Sequence, residues 1–214
     1  MTKYTVNIDW FEFIASGYTL TNSDAKTFHL PTGDQMHVYK EKQGTKFFRD
    51  CFSIFINQKK FISIMCNPPE GSIIKANYMQ MRVENERFYE VGWLDCLKMI
   101  FRYYSWNMEN ITRMDIALDG HGFMNVARKV HNGSIVCMSR AMRFPVYNSK
   151  MELVEFRLGN YGSDRSLKVY NKSQELKVSN KHYIANLWQL AGLDTSTDVE
   201  RLEVSLRNQF CKAL

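Results

Sequence analysis

The chain has 214 residues, 45% of them hydrophobic and 23% charged, with only 4 Pro and 11 Gly. This composition excludes disordered, collagen-like and low-complexity classes. The length is enough to bury one sizeable core. Lys plus Arg number 28 against 22 Asp plus Glu, and the resulting +6 permits a polyanionic partner without requiring one. Lys3, Asp9 and Glu12 interrupt the first apolar stretch, so it does not read as a secretory segment. No apolar run approaches the ~18 residues of a membrane span. Cys51, Cys66, Cys96, Cys137 and Cys211 are odd in number and widely spaced, which points to free thiols in a reducing cytoplasm. The histidines never occur as H-x-H or H-E-x-x-H, so no zinc site is expected.

Thr5 to Phe13 reads as a strand, rich in β-branched and aromatic residues. Phe47 to Ile56 and Lys60 to Cys66 read as a hairpin turning at Asn57-Gln58-Lys59. Asn67-Pro68-Pro69-Glu70-Gly71 breaks the pattern, and Ala76 to Val83 resumes it. Between Glu90 and Trp106 the period becomes helical, with Trp93, Leu97, Ile100, Phe101 and Tyr104 on one face. Their expected role is core packing. Ile111 to Asp119 is a strand. Phe123 to His131 is a short helix stopped by Asn132-Gly133. Glu152 to Leu158 and Leu167 to Lys172 are strands around the Gly159 to Ser163 turn. His182 to Ala191 is a helix, and Val199 to Arg207 a last strand. Nothing splits the chain, so a single domain over 1–214 is expected. The order of elements argues for an α+β fold with a largely antiparallel central sheet and helices packed on one face.

Side chains alternate faces along a strand. One face of the strand around residues 113–119 carries Arg113, Asp115, Ala117 and Asp119, and the other Met114, Ile116 and Leu118. One face of the last strand carries Arg201, Glu203, Ser205 and Arg207, against Leu202, Val204 and Leu206. Lys168, Tyr170 and Lys172 oppose Leu167 and Val169 in the same way. For any single strand, the plain explanation is a solvated sheet face with cross-strand ion pairs. Three strands with one mixture weaken it.

Such a mixture has a chemistry. Neighbouring carboxylates repel unless a cation lies between them, and oxygen-only donors select Mg²⁺ or Mn²⁺. Arg and Lys stabilise phosphate charge. A tyrosine hydroxyl becomes a nucleophile once its proton is removed. The segment 162–182 sets Arg165, Lys168, Lys172, Lys177 and Lys181 against Asp164 and Glu175, a balance suited to a phosphate backbone.

Four blocks in this order resemble the replication initiation factors of rolling-circle plasmids, related phages and integrative elements, the Rep_trans family. They are Ile8 to Phe13 (IDWFEF), Ile111 to Gly120 (ITRMDIALDG), Gly162-Ser163 with Ser166 to Glu175 (SLKVYNKSQE), and Arg201 to Arg207 (RLEVSLR). The resemblance implies the rolling-circle nuclease core without the paired histidines of the H-U-H class. It implies an enzyme that nicks one strand at a DNA origin, links a tyrosine to the 5′ phosphate, frees a 3′ hydroxyl and later re-joins the strand. It implies Tyr170 as nucleophile and Glu175 as a further catalytic carboxylate. Asp115, Asp119 and Glu203 are the implied metal set for Mg²⁺ or Mn²⁺, and Arg113, Arg165, Lys168, Lys172, Arg201 and Arg207 the implied DNA contacts. Glu175 reaches the site only if the chain turns after Tyr170. For Asp9 a surface carboxylate is the preferred reading. Implied partners are single-stranded or cruciform origin DNA, host replication proteins such as a helicase, and a second copy of the chain, with no membrane. Two departures stand out: the chain stops seven residues after Arg207, where family members continue, and Lys168 stands where Arg is more usual.

A non-catalytic nucleic-acid-binding module is the competing reading, with Tyr161, Tyr170 and Phe156 stacking on unpaired bases. Carboxylates in such a face repel phosphates and favour the enzyme. A third reading is an interaction protein with a charged sheet face, which would ignore DNA.

Overall fold

The computed structural model describes residues 3–30, 33–208 and 211. Its contacts divide into two compact units, Trp10–Arg113 and Met1–Asp9 with Met114–Leu214. Two long strands, β1 (Thr5–Ser16) and β7 (Asn107–Gly120), contribute to both.

In unit Trp10–Arg113 these are joined by β2 (Thr27–His29), β3 (Gln35–Lys40), β4 (Asp50–Ile56), β5 (Lys59–Cys66) and β6 (Tyr78–Val83). The strands lie in the order β2-β3-β4-β5-β6-β1-β7. Pairing is antiparallel from β2 through β1. Register turns the period-2 sequence pattern into rows. Val38, Ile54, Ile62, Val83 and Phe11 form one apolar row, and Phe52, Ile64, Met81 and Phe13 another. Between them runs a polar row on the other face: Tyr39, Ser53, Ser63, Arg82 and Glu12. The helix α1 (Trp93–Tyr104) covers the apolar side, with Phe101 against Phe13 and Trp93 against Phe11 and Phe88. These aromatics are core, as their spacing predicts. The β4–β5 turn places Asn57 and Gln58 at positive φ, the two-residue hairpin geometry that matches strand twist.

In the second unit the order is β1-β7-β11-β10-β9-β8, with β8 (Arg143–Tyr147), β9 (Leu153–Leu158), β10 (Arg165–Asn171) and β11 (Glu200–Arg207). The pairs β8–β9, β9–β10 and β10–β11 are antiparallel. Phe156, Val169 and Leu202 align as an apolar row, and Leu158, Leu167 and Val204 as the next. The helix α2 (Phe123–His131) packs Met124 and Ala127 onto this face. Glu200 Oε2 accepts from the Met124 N–H at 2.9 Å, satisfying one free donor of the helix start. Gly159, at φ +92, makes the β9–β10 turn, where a Cβ would lie 2.9 Å from the Arg165 carbonyl.

Two short helices follow β10: α3 (Lys172–Val178) and α4 (His182–Leu190). Asn171 caps α3 by accepting from Gln174 N–H at 2.9 Å. Trp188 of α4 bonds to Asp119, on the face of β7 opposite Met114 and Leu118. Helices therefore meet both faces of this sheet, α2 the apolar one and α4 the polar one, in place of the expected packing on one face. The reason is in the strands, whose polar face carries groups needing buried partners. Phe156 is likewise not a stacking surface, being 2% exposed in the α2 core. Phe156→Ala is expected to cost about 3–5 kcal/mol in urea unfolding, as for other buried aromatics.

Candidate active site

The polar face of β9, β10, β11 and β7 is largely buried. Its register sets Glu155, Tyr170 and Arg201 in one cross-strand row and Arg157, Lys168 and Glu203 in the next. Asp115 and Asp119 lie on β7, both buried, and β7 neighbours β11.

Arg201 is the anchor. It is 0% exposed. Its Nε donates to Asp119 Oδ1 at 2.6 Å and a terminal nitrogen to Asp119 Oδ2 at 2.8 Å. The other terminal nitrogen donates to Asp9 Oδ1 at 2.6 Å. Trp188 Nε1 adds a bond to Asp119 Oδ2 at 2.8 Å. Planar fork and carboxylate match, which a lysine could not reproduce. Arg201 is thus a buried structural cation, not the DNA contact implied above. Asp119 is fully engaged by Arg201 and Trp188, which sets it apart from the implied metal set.

Tyr170 is 8% exposed. Its hydroxyl donates to Glu203 Oε2 and accepts from Lys172 Nζ, each at 3.4 Å. Lys168 Nζ lies 4.0 Å from the ring centroid and pairs with Glu155 at 3.3 Å, and Arg157 shares Glu155 at 3.3 Å. Burial pushes the Tyr170 hydroxyl far above the ordinary tyrosine range; Arg201 opposes this, while Glu203, Glu175 and Asp9 add to it.

Lys172 is the first residue of α3, not the last of a strand. It is 1% exposed and bonds to Glu175, so it cannot reach a DNA phosphate in this arrangement. The chain does turn after Tyr170, and one helical turn brings Glu175 back to Lys172 (i, i+3). Lys181 reaches Glu175 at 3.5 Å. Burial lowers the Lys172 ammonium, Arg201 adds to that, and Glu175 opposes it. Burial disfavours the Glu175 carboxylate, yet Lys172, Lys181 and Arg201 outweigh it and hold its value below the usual.

Glu203 is raised, first by burial and then by Asp9, with Asp115 adding and Lys168 and Arg201 opposing. Three carboxylates therefore feel one another here, and all are hard oxygen donors of the kind Mg²⁺ or Mn²⁺ takes. Asp115 and Glu203 suit such an ion in donor chemistry. Among the described residues, no three His, Cys, Asp or Glu side chains converge into a ready metal cage.

The remaining implied contacts scatter. Arg113 belongs to unit Trp10–Arg113, where its guanidinium lies 4.3 Å from the Trp10 ring centroid, with Arg82 at 4.8 Å. Arg165 pairs in register with Leu206, on the Leu167 face, away from Tyr170. Arg207 ends β11, with its N–H bonded to the Asp164 carbonyl at 2.7 Å. Sequence reasoning underweighted Asp9 and passed over Glu155, Arg157 and Trp188. Glu155 and Arg157 alternate with Phe156 and Leu158, the same period-2 signal as the other three strands.

Removing Arg201 takes the cation from buried Asp119 and half-buried Asp9. Arg201→Leu is expected to lose about 3–5 kcal/mol in urea unfolding. For Glu203, a folded pKa above the unfolded one means that ionisation costs stability. That cost is present at neutral pH and disappears as pH falls through the folded value. Glu203→Gln is therefore expected to raise Tm at pH 7 by about 2–4 °C, with the gain gone below about pH 4. A gain that grows on acidification would contradict the assignment.

No helix among the described residues is long and apolar enough to cross a membrane. No protein-family model matches the chain, and no curated protein matches it in sequence. The structure is similar to that of a rolling circle replication initiator protein from Geobacillus stearothermophilus, at TM-score 0.55 and 12% identity, over 98% of this chain and 77% of that one. At that identity the likeness is one of fold, and the chain shares the fold of a replication initiator.

Proposed function

We propose that the protein is a rolling-circle replication initiator that nicks one DNA strand by attack of Tyr170. The observation that carries this reading is the Tyr170 hydroxyl, set between a carboxylate of raised pKa and a buried lysine. The fold shared with a replication initiator supports it.

In this reading Glu203 accepts the phenolic proton as the Tyr170 oxygen attacks phosphorus. Lys172 stabilises the developing phenolate, and Glu175 holds Lys172 in place. The new bond is Tyr170 oxygen to phosphorus. The bond broken is phosphorus to the 3′ oxygen, which leaves as a 3′ hydroxyl by taking the proton that Glu203 accepted, so that Glu203 ends ionised as it began. Lys168, over the tyrosine ring, meets the incoming phosphate. Re-joining the strand runs the same steps in reverse. A divalent Mg²⁺ or Mn²⁺ held by Asp115 and Glu203 would polarise the phosphoryl oxygen. Asp119 and Arg201 act as the frame.

The burial and raised pKa of Tyr170 favour one rival, a non-catalytic DNA-binding module in which this tyrosine is structural. The two readings separate on a single assay. Supercoiled DNA carrying the protein's own gene and flanks is incubated with Mn²⁺ or Mg²⁺. Nicked circles and a denaturant-resistant protein–DNA band are expected, both lost with Tyr170→Phe and with chelator. Undiminished nicking by Tyr170→Phe would sink the assignment, and salt-sensitive retention without any adduct would favour the binding module. Lys172→Met is expected to slow adduct formation by about 100-fold or more.

A further inference from the structure

Tyr161 takes no part in the steps above. It occupies the second position of the turn Asn160-Tyr161-Gly162-Ser163 between β9 and β10. The Ser163 N–H donates to the Asn160 carbonyl at 3.2 Å, and Gly162 supplies the positive φ, +85, that the third position of such a turn takes. The Ser163 hydroxyl lies 2.8 Å from the Asn160 carbonyl oxygen and 2.9 Å from that of Arg165, so the turn is tied at both ends. On it Tyr161 is 83% exposed, yet one face of its ring is covered, because the Arg157 guanidinium lies 3.5 Å from the ring centroid. Arg157 is itself buried and held by Glu155 at 3.3 Å. The pair is a stack built on one side and open to water on the other. Register sets Arg157 across from Lys168, whose Nζ lies 4.0 Å from the Tyr170 ring centroid. A single strand spacing, about 4.8 Å, therefore separates the residue under the Tyr161 ring from the one over the Tyr170 ring.

We propose that Tyr161 is a stacking platform for one unpaired base of the DNA strand whose phosphate meets Lys168 and Tyr170. The inference rests on the proposed function for that strand, and it makes Tyr161 a binding residue outside the bond-making steps. Three features select a nucleobase. A flat ring with a cation behind it presents its open face to another flat ring, and every base has a π-face. An unpaired strand offers those faces, which a duplex keeps stacked inside. The contact is uncharged, so it tolerates the carboxylates nearby: Glu155 is taken up by Arg157 and Lys168, and Asp164 Oδ1 accepts from Asn208 at 3.0 Å. A ring already held by its turn and by Arg157 also loses little freedom when a base settles on it.

The test is fluorescence anisotropy of a labelled oligothymidine of about 12 nucleotides, titrated with the full chain in EDTA at several salt concentrations, beside an abasic strand of the same length and charge. Tyr161→Ala is expected to bind the oligothymidine about tenfold more weakly, the loss of one base–aromatic stack. The slope of log K against log salt is expected to stay as in the parent, because no phosphate contact is lost. Tyr161→Phe and Tyr161→Trp are expected to bind as the parent does. The abasic strand is expected to bind the parent and Tyr161→Ala alike. Parent-like binding of oligothymidine by Tyr161→Ala overturns the platform. An equal loss on both strands also overturns it, since that marks a structural role for the ring. A parent chain that binds neither strand overturns it too. Chelation removes turnover, so these outcomes stand apart from the nicking assay. A loss confined to oligothymidine, in a chain that forms no Tyr170 adduct with metal, upholds the platform and removes the nickase reading.

Discussion

A guanidinium with no exposure to water has to be neutralised and bonded in place, and the arrangement around Arg201 follows from that need. Its fork fixes Asp119 through two parallel bonds, and its remaining nitrogen fixes Asp9. Asp119 in turn takes the Trp188 indole N–H, which seats α4 on the polar face of the sheet. A buried pair of this kind adds little net stability over apolar packing, and its loss is costly because one charge is left alone. Its value here is positional. Arg201 sits directly across the strand pair from Tyr170, so the frame that satisfies the arginine also sets the row holding the tyrosine.

Around that frame the charged groups divide into two sets. Arg201, Asp119 and Trp188 close on one another. Glu203, Tyr170, Lys172 and Glu175 form a chain of contacts in which burial moves Glu203, Tyr170 and Lys172 from their ordinary ionisation, and neighbouring cations outweigh burial at Glu175. A raised carboxylate and a lowered ammonium on either side of one hydroxyl are the opposed shifts that proton transfer calls for. The second sheet face carries its own division, with α2 over part of the apolar rows and an open groove beside it.

The period-2 pattern made the strands and their faces legible. Asp115, Lys168, Tyr170 and Glu203 lie on one face as alternation predicts, and α2 spans the expected residues. Lys172 was misplaced because alternation simply continues past Asn171, whereas Asn171 is a cap that converts strand to helix. Asp9 read as a surface carboxylate because its partner lies 192 residues away in sequence, beyond any local pattern. The same distance hid the bidentate pairing of Asp119, which on spacing alone is equally a metal ligand. β3 went unread although Met36 and Val38 alternate with polar residues, since three turns of a hairpin period are a weak signal without the register.

Identification of the DNA-linked residue tests the account most directly. After reaction with supercoiled DNA and Mn²⁺, nuclease and protease digestion followed by mass spectrometry locates the tyrosine carrying a 5′ nucleotide. The account predicts the mass on the peptide holding Tyr170. Tyr161 stands 83% exposed on the β9–β10 turn, with the Arg157 guanidinium 3.5 Å from its ring centroid. A nucleotide on Tyr161, with Tyr170 unmodified, would contradict the assignment.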